Sequence, residues 1–276
     1  MNEKKLKVII LTHGNASLLL ERLLKIKTLE IVGVFVETKT QPERGFKEKL
    51  ERSIKYDGYL ETFKKFGAKI IGGKTEGLEE LETVRRNQEE LNKFAETSGI
   101  KIQKVENYHS EGAQKLLCDA NADLAILYGT NIIKKDVFSI PRMGSINIHQ
   151  GFAPYYRGGP SVFWELFNDE KEVGVTVHFV AAKVDTGDVI LQKSFPLEYD
   201  FEKYGLDYES FLNDFRFSLK IPMIEMIAEA VSRISERTEQ RIKQDLSLGK
   251  RYRLPVKSEK DAMLRVLKSR SQNRLR

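Results

Sequence analysis

The stretch KVIILTHGNASLLLERLLKI, residues 7–26, decides the fold. Val8 to Leu11 form an uninterrupted apolar run, the pattern of a strand covered on both faces. A turn containing Gly14 follows, and then leucines recur at helical spacing. A second apolar strand, EIVGVFVET at residues 30–38, comes next. Strand, helix and strand in this order, with near-continuous apolar strands, mark a parallel sheet with helices on both faces. The expected class is α/β, a Rossmann-like, open and mostly parallel sheet.

Outward from this start, residues 41–98 change to a charged, helical composition. A connection of that length between strands is far longer than βα loops in compact domains, so it reads as a helical insertion after the second strand. Its middle, GAKIIGGK at residues 67–74, is rich in glycine. Regular order resumes with a short strand in IKIQKVENYH, a helix in EGAQKLLCDANA and an apolar strand in DLAILYGTNII. The strand GSINIHQ follows, then the loop GFAPYYRGGPS and a helix in VFWELFNDE. Residues 173–197 alternate and break at Asp-Thr-Gly-Asp, like two strands joined by a bend. One long helix is expected from Tyr204 to about Arg237, followed by a basic tail in which RYRLP is extended along the domain. The division is thus residues 1–200 as a catalytic domain containing the 41–98 insertion, and 201–276 as a C-terminal helix and basic tail.

The formal charge is +6 and the pI near 9.1. The charges are interspersed except near the C-terminus. A basic tail can bind polyanions, so a nucleic-acid partner stays open, but a solvated terminus is the simpler reading and nucleic acid is not favoured. The single Cys118 excludes an intrachain disulfide and is expected to be a small buried residue in a reducing compartment. The N-terminal apolar run is too short to span a bilayer, which argues for a cytoplasmic protein without a membrane partner. Nothing in the sequence sets an oligomeric state. His13, His109, His149 and His178 lack the spacing of a metal site, so no metal is expected.

Chemistry gathers where the strands end. Ligands of open parallel sheets sit outside the carboxyl ends of the strands. Three loops fall there: THGNAS, YGTNII and NIHQGFAPYYRGG. Side chains two apart on a strand share a face, so Asn147 and His149 are neighbours by construction. The Asp185-Thr186-Gly187-Asp188 loop can bring a carboxylate to the same edge. A histidine beside a carboxylate is favoured in its protonated form, and an asparagine amide offers N–H donors to an oxyanion. That set suits acyl transfer in which the substrate supplies the nucleophile. A satisfied core histidine at 149 and a plain turn aspartate at 185 are the blander alternatives.

Residues 146–190, INIHQGFAPYYRGGPSVFWELFNDEKEVGVTVHFVAAKVDTGDVI, resemble the core of the 10-formyltetrahydrofolate-dependent formyltransferase family. That family includes glycinamide ribonucleotide transformylase, methionyl-tRNA formyltransferase and the sugar N-formyltransferases. The elements that carry the resemblance are Asn147-x-His149, Pro154-Tyr155-Tyr156-Arg157-Gly158 and Asp185-Thr186-Gly187, in order and at family-like spacing. The resemblance covers about Lys5 to Leu197, apart from the insertion. It implies a catalytic set of Asn147 as oxyanion donor, His149 as charged acid and Asp185 as the group that raises the histidine pKa. It implies a folate pocket at Thr130, Asn131, Ile132 and Ile133, with Asn147 beside it, and 10-formyltetrahydrofolate as co-substrate.

The HGNAS loop resembles a phosphate-holding Gly-Asn-Gly-Ser-Asn loop, with Ala16 and Leu18 departing from it. Gly14, Asn15, Ser17 and, from the second loop, Arg157 are the expected substrate-binding residues. The implied partner is a small-molecule amine acceptor, first of all an amino-sugar nucleotide. Glycinamide ribonucleotide or methionyl-tRNA as acceptor, hydrolysis of the donor, and an inactive folate-binding scaffold are the alternatives.

Overall fold

The computed structural model describes residues 5–38, 46–59, 61–62 and 76–274; the GAKIIGGK segment at residues 67–74 lies outside them. Strands β1 (Leu6–Thr12), β2 (Leu29–Glu37), β3 (Ile102–Val105), β4 (Leu124–Tyr128) and β5 (Ser145–His149) run parallel. Two antiparallel strands, β7 (Glu172–Phe179) and β8 (Val189–Pro196), extend the β5 edge. The order is β3-β2-β1-β4-β5-β7-β8. The chain therefore winds outward from β1 in one direction, then returns to place β4 on its other side. This reversal opens a crevice beyond the carboxyl ends of β1 and β4.

Alternation along the strands divides the apolar residues between two layers. Val8 and Ile10 of β1 share one layer with Leu19, Leu20 and Leu23 of helix α1 (Ser17–Leu23). Ile9 and Leu11 share the other with Phe35, Leu127, Ala113 and Leu117. Ala113 and Leu117 belong to α4 (Glu111–Asp119), whose first turn is capped by Ser110 accepting from the Ala113 N–H. Cys118, expected inside, is exposed because the helix commits its neighbours Ala113 and Leu117 to the core face.

Tyr108 is fully buried at the carboxyl ends of β1 and β2. Its hydroxyl accepts from Thr12 N–H at 2.8 Å and lies 2.7 Å from the Phe35 carbonyl, to which it donates. The phenol thereby ties the two strand ends that border the crevice.

Two helices fall within the expected insertion, α2 (Phe46–Asp57) and α3 (Glu76–Ser98). Leu91 of α3 is buried in the layer that holds α1. Between β4 and β7 lie two short helices, α5 (Lys135–Phe138) and α6 (Phe163–Phe167), and the short strand β6 (Tyr156–Gly158).

After β8 and the short α7 (Phe201–Tyr204), the long helix expected from Tyr204 is instead two, α8 (Tyr208–Ser218) and α9 (Lys220–Glu236). Pro222, in the first turn of α9, has no N–H to offer the Ser218 carbonyl, so one continuous helix is disfavoured there. Helix α9 buries Ile224, Met226, Ile227, Ala230, Val231 and Ile234, and packs on α1, β7 and β8. Beyond it, β9 (Lys250–Tyr252) pairs in parallel with β6, and α10 (Lys257–Arg274) ends the described chain. Of the RYRLP segment expected to be extended, Arg251 and Tyr252 lie in β9. Among the described residues no helix is long and apolar enough to cross a membrane.

Candidate functional site

Strand β5 places Asn147 and His149 on one face, as alternation requires. Antiparallel pairing with β7 then sets His178 directly opposite Asn147 and Thr176 opposite His149. The connection from β7 to β8 returns Asp185 beneath them. This loop can close tightly only because residue 187 is glycine: a Cβ there would stand 1.8 Å from the Phe179 carbonyl oxygen. Asp185 itself takes a left-handed φ of 53°, a conformation that aspartate tolerates better than most residues.

Asp185 is the hub of the cluster. Its Oδ2 lies 3.5 Å from His149 Nδ1 and accepts from the Gly158 N–H at 2.9 Å. Its Oδ1 lies 3.4 Å from His178 Nε2. That second contact is electrostatic, because His178 Nε2 has no aligned hydrogen-bond partner among the described residues. Each imidazole is also tied to a carbonyl: His149 Nε2 to Tyr156 O and His178 Nδ1 to Phe179 O, both at 2.7 Å. A carbonyl only accepts, so those two nitrogens carry hydrogens. Two imidazoles thus turn their remaining nitrogens toward one carboxylate.

The side chains of His149 and Asp185 are 8% and 9% exposed. Burial pushes the His149 pKa down, and the opposing pull of Asp185 and of the Tyr156 carbonyl does not restore it. The charged form expected from the sequence is disfavoured by this dry setting relative to an ordinary histidine. The sequence displays the carboxylate partner but not the dry wall around the ring. Burial also pushes Asp185 up, but His178, His149 and the Gly158 N–H together hold it below the ordinary aspartate value. The wall is tight at Gly151, where a Cβ would stand 2.3 Å from both His149 Nε2 and Tyr156 O.

Two cavities border this cluster. The smaller, about 200 Å³, is lined by Thr130, Asn131, Ile132 and Ile133 together with Asn147, His178 and Asp185. All the expected folate-side residues therefore share one cavity with two members of the expected catalytic set. The larger, about 570 Å³, opens at the β1/β4 crevice and includes Asn15, His149, Arg216 and Lys220 among its lining. His149 faces the larger cavity while its carboxylate partner lines the smaller.

The expected substrate-side residues scatter more. Asn15 lines the larger cavity and accepts from Lys220 Nζ at 3.3 Å. Gly14 makes the turn with φ +115°, packed so closely on α3 that a Cβ would lie 2.8 Å from Gln88 Cγ. Ser17 opens α1. Arg157 is buried and donates to Pro154 O and Gly249 O, tying the β6 strap to the segment before β9.

Sequence reasoning passed over His178 as a site residue, and also His13, Asn87, Arg216 and Lys220. His13 Nδ1 donates to Glu37 O at 3.2 Å, and its Nε2 accepts from Asn131 N–H at 3.3 Å, anchoring the 130–133 loop to β2. The alternation of TVHFV signals which face His178 occupies. No local signal announces that α8 and α9 reach the crevice.

Residues 6–205 match the family model described as formyl transferase. The chain belongs to the formyl transferase family. Over 107 residues it is 30% identical to the methionyl-tRNA formyltransferase of Parabacteroides distasonis, covering 39% of this chain and 33% of that protein. The matched stretch thus spans about a third of that relative's length. Among solved structures, it is similar to glycinamide ribonucleotide transformylase 1 from Symbiobacterium toebii, with a TM-score of 0.53 and 19% identity over 87% of this chain and 95% of that one. It is also similar to the sugar 3N-formyl transferase WlaRD, crystallised in the presence of dTDP and 5-formyltetrahydrofolate. That TM-score is 0.50, with 18% identity over 90% of this chain and 69% of that one. At such identities the structural likeness establishes the fold. The mostly parallel sheet is the formyl transferase fold, and α8 and α9 lie beyond the segment that the family model matches.

Proposed function

We propose that the protein transfers a formyl group from 10-formyltetrahydrofolate to the primary amine of a small acceptor, an amino-sugar nucleotide, at Asn147, His149 and Asp185. The observation that supports this reading is the pair of cavities bordering that cluster, the smaller of a size for the heteroaromatic end of the donor and the larger for the acceptor. The smaller cavity suits the donor. Leu127, Ile133 and Val180 give it an apolar lining suited to a flat heteroaromatic ring. The related WlaRD was crystallised with a formylated folate.

In the reaction the amine nitrogen bonds to the formyl carbon, the bond from that carbon to N10 breaks, and one proton passes from the amine to N10. Asn147 donates its amide N–H to the formyl oxygen as negative charge develops there. His149 takes the proton from the attacking nitrogen and delivers it to the leaving nitrogen. For this the Nε2 lone pair must face the substrate and Nδ1–H must face Asp185. The Tyr156 carbonyl holds the opposite tautomer, so withdrawal of that carbonyl arms the histidine. Asp185 then orients the ring and stabilises the imidazolium formed in transit.

Incubation with 10-formyltetrahydrofolate and a panel of amines, read by release of tetrahydrofolate and by a mass gain of one formyl group on the acceptor, tests the reading. Transfer to an amino-sugar nucleotide is expected. Formate release without any amine would point to hydrolysis, and no turnover with any amine would defeat the proposal. A second acceptor has its own support: the segment similarity to methionyl-tRNA formyltransferases makes methionyl-tRNA a necessary member of the panel.

A further inference from the structure

The loop that carries Asp185, between β7 and β8, is gripped by a segment near the C-terminus. Where the loop ends, Ile242 pairs antiparallel with Val189: its N–H donates to the Val189 carbonyl at 2.9 Å and its carbonyl accepts from the Val189 N–H at 2.8 Å. Where the loop begins, the Arg241 guanidinium sits over the Phe179 ring, 4.1 Å from its centroid. Between these anchors Gln244 Nε2 donates to two carbonyls of the loop itself, Asp185 O at 3.1 Å and Gly187 O at 2.7 Å. Its Oε1 is buried and has no hydrogen-bond partner among the described residues. Both atoms facing Nε2 are acceptors, so turning the amide round would set oxygen against oxygen and relieve nothing. A buried acceptor left unsatisfied lowers stability, and a chain that keeps one calls for a role served by the other end of the same amide.

We propose that Gln244 is a positioning residue, which holds the Asp185 carboxylate against His149 by binding the carbonyls on either side of Thr186. Two backbone carbonyls that converge repel each other unless a donor lies between them, and an amide NH2 supplies one hydrogen to each. Asp185 keeps a left-handed φ of 53°, a conformation that persists only where surrounding contacts enforce it. With the turn held in this way, Asp185 Oδ2 stands 3.5 Å from His149 Nδ1 and accepts from the Gly158 N–H at 2.9 Å. Gln244 lines neither of the cavities that border the cluster, so it acts through Asp185 and not on a reactant. It lies beyond the segment that the family model matches, which gives the C-terminal tail a part in aligning the site. The effect on turnover rests on the formyl-transfer reading; the effect on His149 does not.

The test compares Gln244→Met, Gln244→Glu, Asp185→Asn and the double variant Gln244→Met/Asp185→Asn with the wild type in the full chain, with circular dichroism to certify each fold. The first readout is the pH at which His149 titrates, followed by NMR of its imidazole. Asp185 and His178 are the titratable groups that face this ring, and Asp185 supplies the upward pull on its pKa. A loosened Asp185 should therefore move the titration of His149 to lower pH in Gln244→Met, in the same direction as in Asp185→Asn. The second readout is turnover: kcat should fall about 10- to 100-fold in Gln244→Met, the cost of a misplaced catalytic group, with KM for the acceptor unchanged. In the Asp185→Asn background the same substitution should cost little more, because residues that act through one group are not additive. Gln244→Glu offers two acceptors to two acceptors when ionised and one O–H donor when protonated, so its rate relative to Gln244→Met should rise as pH falls. An unchanged His149 titration in folded Gln244→Met, or losses that add fully in the double variant, would overturn the proposal. A wild type without formyl transfer would defeat the functional reading alone, and the His149 titration would still decide the role of Gln244.

Discussion

Replacing Glu165 by glutamine isolates a charge that the fold buries in α6. Glu165 lies in α6, is 3% exposed, and folds back on the backbone N–H groups of Val162 and of its own residue. Burial pushes its pKa from 4.5 up to about 7, more than those N–H groups and Arg216 pull it down. The folded state therefore binds more protons than the unfolded chain between pH 4.5 and 7. Stability from this group is complete below pH 4.5 and is lost as pH rises through 7. At 1.36 kcal/mol per pKa unit, the shift amounts to about 3 kcal/mol. Glutamine resembles the protonated acid and cannot ionise. Glu165→Gln should match the wild type near pH 4 and exceed its stability by up to about 3 kcal/mol at pH 8. With an unfolding entropy of about 2.1 cal/mol/K per residue, that is a rise in Tm of roughly 5 °C. Paired thermal melts of wild type and variant from pH 4 to 8 measure it, since groups common to both cancel in the difference. A difference that stays constant across this range, or a variant less stable at pH 8, would refute the claim that an ionised carboxylate is being buried.

Three further outcomes test the site and its support. Asp185→Asn removes the charge that pulls the His149 pKa up against burial, so kcat should drop by about 100-fold or more, and the acid limb of the remaining activity should move to lower pH; a pH–rate profile decides. Gly151→Ala inserts a methyl group into the space shared by His149 Nε2 and Tyr156 O, and should impair turnover far more than binding of 5-formyltetrahydrofolate, as single-turnover and binding assays would show. Tyr108→Phe leaves the Thr12 N–H and Phe35 carbonyl without the hydroxyl between them, and chemical denaturation should report a loss of about 1–3 kcal/mol.

Much of this protein was readable before any coordinates. The run Val8–Leu11 and the leucines after Gly14 are local patterns, and local periodicity is enough to specify a covered parallel strand and the helix beside it. The shared face of Asn147 and His149 follows from the pleat of a single strand. Other features depend on partners remote in sequence. That His178 stands opposite Asn147 is a matter of register between β5 and β7, and alternation names a face without naming the neighbour. That the His149 pKa is pushed down rather than up depends on how completely Gly151, Tyr156 and the rest of the loop exclude water. That Lys220 meets Asn15 is set by where α9 docks, 205 residues along the chain from the loop it completes. The sequence by itself determined the layers of the sheet and the strand end where chemistry gathers, because those follow from spacing within a few residues. Only the tertiary structure decided the direction of the histidine pKa shift and the charge of the larger cavity, because desolvation and long-range docking are properties of the packed molecule.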